Sequence, residues 1–469
     1  MSLARAHHPA PARQLAAVMV GKATRRAMRM FGSGGTALPG LVAERLDADL
    51  ARRLARELDA TALITGTNGK TTSAAMLARI LRESGRGVIH NRAGSNLMRG
   101  VLTALIDAAG ANGRLPRGRT AVLETDEAAL ASVADVAPPT VAVFTNLMRD
   151  QLDRYGEIES IALRWAGALA NVPHDAQVVV NVDDPLVAAL ADRWHGSSLR
   201  FGIEDPDVPP APAGEIMDAV WDPVTQADFR YHRRYFAQLG RWYTDAGVER
   251  PAPEIAARAI TETEAGMAFR LTLPRYEPVQ IALPAKGLYS VYNALAAAAA
   301  AYALGVNADA IRRGLETHRA AFGRQEELVI DGHRVRVLLG KNPSGLNQAL
   351  RTLQGSGQRH HLLVLLNDGI ADGTDVSWIW DVDWESQAEH CATLTVGGNR
   401  AADIALRLEY AGLPAPQEPI RNEIGAALQQ AFAVLPEGEP LIILPTYTAM
   451  LDVRQRLGRM GGSRLWEVA

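Results

Sequence analysis

Cysteine is nearly absent from this 469-residue sequence, where Cys391 is the single instance. One thiol excludes an internal disulfide framework and any zinc cluster built from cysteines, and it fits a reducing compartment. Long apolar runs are missing too. None approaches the roughly 20 residues that a membrane-spanning helix needs, so the chain reads as soluble and cytoplasmic. The net charge of −3 is small, which argues against a general nucleic-acid binder. Acidic residues are missing altogether from the first forty positions. There Arg5, Arg13, Lys22, Arg25, Arg26 and Arg29 stand among Leu15, Val18, Met19, Met28 and Phe31. The apolar part is too short, and too interrupted by Lys22, for a secretory signal. Two readings fit this N-terminal basic helical segment, 1–45. It is either a helix resting peripherally on anionic lipid at the inner membrane face or a helix packed on the first domain. We prefer the packed helix.

What is present centres on residues 61–81, TALITGTNGKTTSAAMLARIL. Ala62, Leu63, Ile64 and Thr65 predict a strand, Gly66, Thr67, Asn68 and Gly69 a turn, and the apolar spacing from Ala74 to Leu81 a helix. Strand, glycine turn and helix form the context of a phosphate-binding loop. Gly66 and Gly69 let backbone amides approach phosphate oxygens at the positive end of the helix. Lys70 then supplies a cation to the phosphates and Thr71 a hydroxyl to Mg²⁺. The usual pattern has a glycine where Ile64 stands, so the loop is a shortened variant. ATP and Mg²⁺ are the expected cofactors.

The length demands two or three domains. Predicted strands at 87–90, 120–124, 140–144 and 177–181 alternate with helices such as 158–170 and 185–193. That alternation implies an α/β fold with a doubly wound, mostly parallel sheet. Ligands of such sheets sit at the carboxyl ends of the strands. Glu124, Asp126, Asn146 and Asp183 fall at or just after strand ends and are expected to converge on the loop, Glu124 as the second anchor of Mg²⁺. Between about 203 and 270 the pattern breaks into a proline-rich run and an aromatic patch including Trp221, Tyr235 and Trp242, read as a small β-rich insertion. An alanine-dense helix at 290–304 resumes the first domain, 46–320. A second, Rossmann-like α/β domain follows at 321–469, with strands at 335–339, 362–366, 392–396 and 441–444.

The runs TGTNGKTT, TNLMRDQLDRYGE from Thr145, NVDDP from Asn181, YNALAA from Tyr292 and GRQE from Gly323 together resemble the Mur ligase family. Those enzymes form amide bonds in peptidoglycan precursors through acyl phosphates. KNPSG from Lys341 and LNDGIADGTDVSWIWD from Leu366 are similar to the MurT branch, in which a ligase subunit forms a heterodimer with a GatD-type glutaminase. The resemblance implies ATP-dependent amidation of the α-carboxylate of D-glutamate in the lipid II stem peptide, at the cytoplasmic membrane face. It assigns the ATP phosphates to Gly66, Thr67, Asn68, Gly69, Lys70, Thr71 and Thr72, with Mg²⁺ at Thr71 and Glu124. Asn293 then lies near the nucleotide and Arg324 on the phosphates, and Asp375 completes the partner's Cys–His pair. Lys70, Glu124 and Asp375 carry the catalytic assignments.

Two departures stand out. Amino-acid-adding members carry a histidine where Gln151 stands, so the second metal contact is open. Many members of the branch also carry a four-cysteine zinc ribbon. Its positions here are Asp222, Thr225, Thr244 and Ala246, so no zinc is expected. Activation by ATP makes chemical sense, because a carboxylate has no leaving group for ammonia until it is phosphorylated. Cys391 lacks a nucleophile's glycine elbow and reads as packing. An amino-acid-adding Mur or folylpolyglutamate-type ligase and an ATP-sensing scaffold are the rival readings.

Overall fold

The computed structural model describes residues 10–30, 37–91, 96–150, 158–212, 215–319, 324–354 and 358–461, the side chains of 324–326 excepted. Its larger sheet contains β1 (Ala60–Thr65), β2 (Gly87–His90), β3 (Arg119–Glu124), β4 (Val141–Phe144), β5 (Gln177–Asn181) and β6 (Ser198–Ile203). A ribbon of β7 (Phe229–Phe236) and β8 (Leu239–Thr244) precedes β9 (Ile255–Thr263), β10 (Gly266–Thr272) and β11 (Val279–Leu283). The nine-stranded order is β11-β10-β9-β6-β5-β4-β1-β3-β2. Pairing is parallel from β2 through β9 and antiparallel from β9 to β11. The strands of the parallel part are covered on both faces, which is why they read as unbroken apolar runs rather than as alternation. β1 lies between β3 and β4, so the chain leaves it toward one side and later returns on the other. The crevice at its carboxyl end is a topological switch point.

Eight helices matter for the site and its surroundings: α1 (Ala12–Met30), α2 (Leu38–Leu46), α3 (Lys70–Glu83), α4 (Met98–Ala108), α5 (Pro185–Arg193), α6 (Leu288–Ala303), α7 (Pro343–Gln354) and α8 (Tyr447–Met460). α6 is the alanine-dense helix. Its small side chains let it lie against α3 and strands β4 to β6, with Ala294 and Ala296–Ala301 almost wholly buried. An added branched side chain there has no space to fill, and overpacking of this kind costs about 1–3 kcal/mol. α1 packs on α2 and α4 through Gln14, Ala17, Val18 and Gly21, the arrangement preferred from sequence.

The smaller sheet contains β12 (Arg324–Ile330), β13 (His333–Leu338), β14 (His360–Leu365), β15 (Cys391–Gly397) and β16 (Leu441–Pro445), in the order β12-β13-β16-β14-β15. Only β12 runs antiparallel to its neighbour.

Two expectations change. The insertion is narrower than 203–270, because β9 continues the large sheet beside β6, pairing Phe201 with Ile255; only β7 and β8 form a sheet of their own. Asp183 does not reach the phosphate loop. Its carboxylate accepts from Ile203 N (2.9 Å), Arg250 Nε (2.6 Å) and Tyr292 Oη (2.5 Å), tying β6, the segment between β8 and β9, and α6 to the end of β5. Just before the ribbon, Asp222 accepts from Val224 N (3.0 Å) and Thr225 Oγ1 (2.6 Å), so a hydrogen-bonded turn stands at two of the positions compared with zinc ligands.

Candidate active site

The turn from β1 to α3 has the backbone that a phosphate cradle requires. Gly66 (φ +140°) and Gly69 (φ +85°) hold conformations that exclude most side chains. A Cβ on Gly69 would overlap the side-chain oxygen of Asn293, which reaches over from α6. α3 begins at Lys70, and its N-cap Gly69 makes no side-chain cap hydrogen bond among the described residues; a helix start of this kind attracts anions. Asn146, just past β4, fixes the turn from beside it. Its Oδ1 accepts from Asn68 N (2.9 Å) and its Nδ2 donates to Asn68 O (3.0 Å).

Two buried pairs supply the charge. Thr71 Oγ1 donates to Glu124 Oε2 (2.8 Å). Glu124 is held through its backbone by Asn91, whose Oδ1 accepts from its N–H (2.8 Å) and whose Nδ2 donates to its carbonyl (2.7 Å). A hydroxyl and a carboxylate are the hard oxygens that Mg²⁺ takes from a protein while phosphates and water complete its shell. The pair therefore fits that ion, although no cluster of three or more His, Cys, Asp or Glu exists among the described residues. Lys70 Nζ donates to Gly66 O, to Thr67 O (3.2 Å) and to Glu127 Oε1 (3.0 Å). Burial raises the Glu127 carboxyl above its ordinary range, and Lys70 opposes that rise.

The C-terminal domain forms the facing wall. Lys341 pairs with Asp150, Asn342 Nδ2 donates to Asn68 Oδ1 (3.1 Å), and Ser344 Oγ lies 2.8 Å from Met148 Sδ. Between the walls is a cavity of about 400 Å³, lined among others by Asn68, Lys70, Glu124, Asn293, Lys341 and Gln348. The Gln348 side-chain nitrogen is buried on this wall without a hydrogen-bond partner among the described residues. His318, also on the wall, is kept neutral by burial, which lowers it to about 4.

Thr67 through Thr72, Glu124, Asp126, Asn146 and Asn293 all line this cavity, and Gly66 stands behind the turn. The side chain of Arg324 and all of Gln151 lie outside the described residues. Asp375 is not on the wall. It is exposed, and its Oδ1 accepts from Ser377 N (2.8 Å). The loop that carries it is pinned by buried Asp372, which accepts from Thr448 N (2.8 Å) and Thr448 Oγ1 at the start of α8. Ala371, four residues before Asp375, does line the cavity. Beyond Asp375 the exposed Trp380 meets Tyr410 edge-on at 5.7 Å, with the Arg407 guanidinium 5.3 Å from the Trp380 ring. Cys391 is buried at the start of β15, where burial pushes its thiol up to about 11, which suits packing and not a nucleophile. Sequence reasoning assigned no role to Asn91, Glu127, Asn342 or Gln348. Glu127 alone had a local signal, three positions after Glu124.

Comparison with known proteins now bears on this geometry. Residues 64–219 match the Mur ligase middle domain, and residues 339–450 match the MurT ligase C-terminal domain. The lipid II isoglutaminyl synthase (glutamine-hydrolyzing) subunit MurT of Streptococcus pneumoniae is 34% identical over 446 residues, 94% of this chain and 96% of that one. The chain belongs to the MurT family. The chain shares the Mur ligase fold with more distant solved structures. A pseudomurein peptide ligase type C from Methanothermus fervidus matches with a TM-score of 0.64 at 21% identity, covering 85% of this chain and 78% of that one. MurF ligase from Thermotoga maritima, in complex with ADP, matches with a TM-score of 0.62 at 15% identity over 91% and 85%. The MurT C-terminal match begins at Leu339 and takes in Lys341, Ser344 and Gln348 on the cavity wall as well as the Asp375 loop.

Proposed function

We propose that this chain is the ligase subunit of a lipid II amidating enzyme. The observation that carries the proposal is one cavity in which the glycine turn, Lys70 and the Thr71–Glu124 pair face Lys341 and Gln348 across the two domains. In this reading a stem-peptide D-glutamate α-carboxylate oxygen attacks the γ-phosphorus of ATP. ADP leaves, and an acyl phosphate forms. Ammonia then attacks the acyl carbon, phosphate departs and the nitrogen loses a proton, leaving the amide. Lys70, the first amides of α3 and Arg324 offset the charge on the phosphoryl group in transit. Asn68, held by Asn146 and Asn342, keeps the turn in register with both domains. Thr71 and Glu124 would hold Mg²⁺, which supplies further neutralisation of phosphate charge when bound.

A GatD-type glutaminase is the ammonia source in this proposal, and it docks at the exposed Asp375 loop. Asp375 would orient and charge-stabilise the partner's catalytic histidine, with Trp380 and Tyr410 as apolar contact area. Glutamine hydrolysis then depends on assembly of the two chains. Trapping tests the acyl phosphate. Hydroxylamine offered with ATP and lipid II should yield a hydroxamate with stoichiometric ADP and phosphate. ATP binding with neither hydroxamate nor ADP would favour the sensing scaffold instead.

A further inference from the structure

Only one side of α1 is engaged by the domain beneath it. Gln14 Nε2 donates to Gly113 O (2.9 Å), Lys22 Nζ to Ala109 O, and Arg25 pairs with Asp107 at 3.4 Å. Gly21 lies so close to α4 that a Cβ on it would be 3.1 Å from Ile106 Cδ1.

The outward side has an unusual composition. Every exposed position of the helix is arginine, alanine, methionine or valine. Met19, Val20 and Met30 are 47%, 38% and 77% exposed, and they stand among Arg13, Arg26 and Arg29. The helix has no acidic residue. Arg26 and Arg29 make no ion pair among the described residues, and Arg13 donates only to a carbonyl, Leu46 O (2.7 Å). A helix facing water ordinarily carries polar and oppositely charged residues on that side. An apolar stripe edged by arginines is instead the pattern of a helix lying in a lipid interface.

The surroundings extend the pattern toward the cavity. Leu46 and Leu38, at the two ends of α2, are exposed. Gly40 of α2 packs directly on Arg99 O at the start of α4. Two residues before Arg99 stands Leu97, exposed and on the cavity wall.

We propose that the outward face of α1 docks on an anionic bilayer surface. Met19, Val20 and Met30 enter the boundary between headgroups and acyl chains, while Arg13, Arg26 and Arg29 meet lipid phosphates. The inference goes beyond the amidation reading and does not depend on it, because vesicle binding is measured without turnover.

The test is sedimentation of the full chain with vesicles of phosphatidylglycerol and phosphatidylcholine, against vesicles of phosphatidylcholine alone. Binding is expected on the anionic vesicles only, weakening as salt is raised. Arg26→Glu/Arg29→Glu should reduce it about tenfold or more. Met19→Ser/Met30→Ser should reduce it too, with the thermal midpoint unchanged in both variants. Equal binding to neutral vesicles, no binding to either kind, or wild-type binding by a folded double variant would overturn the proposal. So would a concentration-dependent dimer that Met19→Ser/Met30→Ser abolishes, since the face would then belong to a second copy.

Discussion

Removing the Lys70 ammonium acts on stability and chemistry through separate routes, and the structure lets them be separated. Lys70 and Glu127 are a buried ion pair at 3.0 Å, each side chain 7% exposed. Lys70→Ala strands a buried carboxylate, and breaking such a pair costs roughly 3–5 kcal/mol while the survivor stays charged. Burial already raises Glu127, so without Lys70 it takes up a proton more readily. A carboxyl raised in the folded state stabilises folding at low pH and loses that contribution as the pH rises through its folded pKa. The Lys70→Ala defect should therefore shrink as the pH falls toward 5. Lys70→Ala/Glu127→Gln replaces the stranded charge by a neutral amide and should recover much of the lost stability in urea titration. Catalysis should not recover. The cation that offsets phosphoryl charge is still missing, and the loss should be about 10²-fold or more with glutamine and with ammonium salts alike. A folded double variant amidating lipid II at near the wild-type rate from ammonium would refute the assignment of the turn as the phosphate site.

Asp375→Asn retains an oxygen for Ser377 N, so the thermal midpoint should hold. Glutamine-dependent amidation should fall by about 10⁴-fold, as when a triad carboxylate is neutralised, while ammonium-dependent amidation persists; equal loss of both would place Asp375 in the ligase site or in folding. Metal analysis of the purified chain should find no stoichiometric zinc, and one zinc per chain would mean that ligands other than positions 222, 225, 244 and 246 had been recruited. Asp184, the N-cap of α5, is wholly buried, and burial pushes its carboxyl from 3.8 up to about 7. Its folded pKa lies above its unfolded one, so its contribution is fully present below about 3.8 and is lost as the pH rises through about 7. Unfolding followed between pH 5 and 7 should show stability falling with pH by up to about 1.4 kcal/mol per unit from this group; a flat or rising profile would contradict the burial argument.

Much of the large domain was legible because its strands are covered on both faces. Ala62–Ile64 and Val178–Val180 had to be apolar throughout, and each run is followed by a polar residue, Thr65 and Asn181. The glycine turn was legible for a local reason: positive φ at Gly66 and Gly69, then a cation, within five residues. What was not legible depends on partners far along the chain. Asp183 and Asp184 sit side by side in NVDDP, but Arg250 and Tyr292, which engage Asp183, are 67 and 109 residues away. Nothing local separates such an acid from one that reaches a ligand. Asn342 meets Asn68 across 274 residues. The KNPSG run could therefore be read as a family signature without disclosing that it closes the cavity. The ribbon's outer limit was misjudged for a similar reason. β9 is buried at Ile255–Ala257 and largely exposed beyond, so in isolation it reads as insertion, and its pairing with β6 returns it to the sheet.

Amidation is decided by incubating the purified chain, without any partner, with lipid II, ATP with Mg²⁺, and an ammonium salt as the only nitrogen source. Mass spectrometry of the stem peptide should then show one amide at the α-carboxyl of D-glutamate, formed in step with ADP. ADP release without amide, or modification only when an amino acid is supplied, would contradict the account.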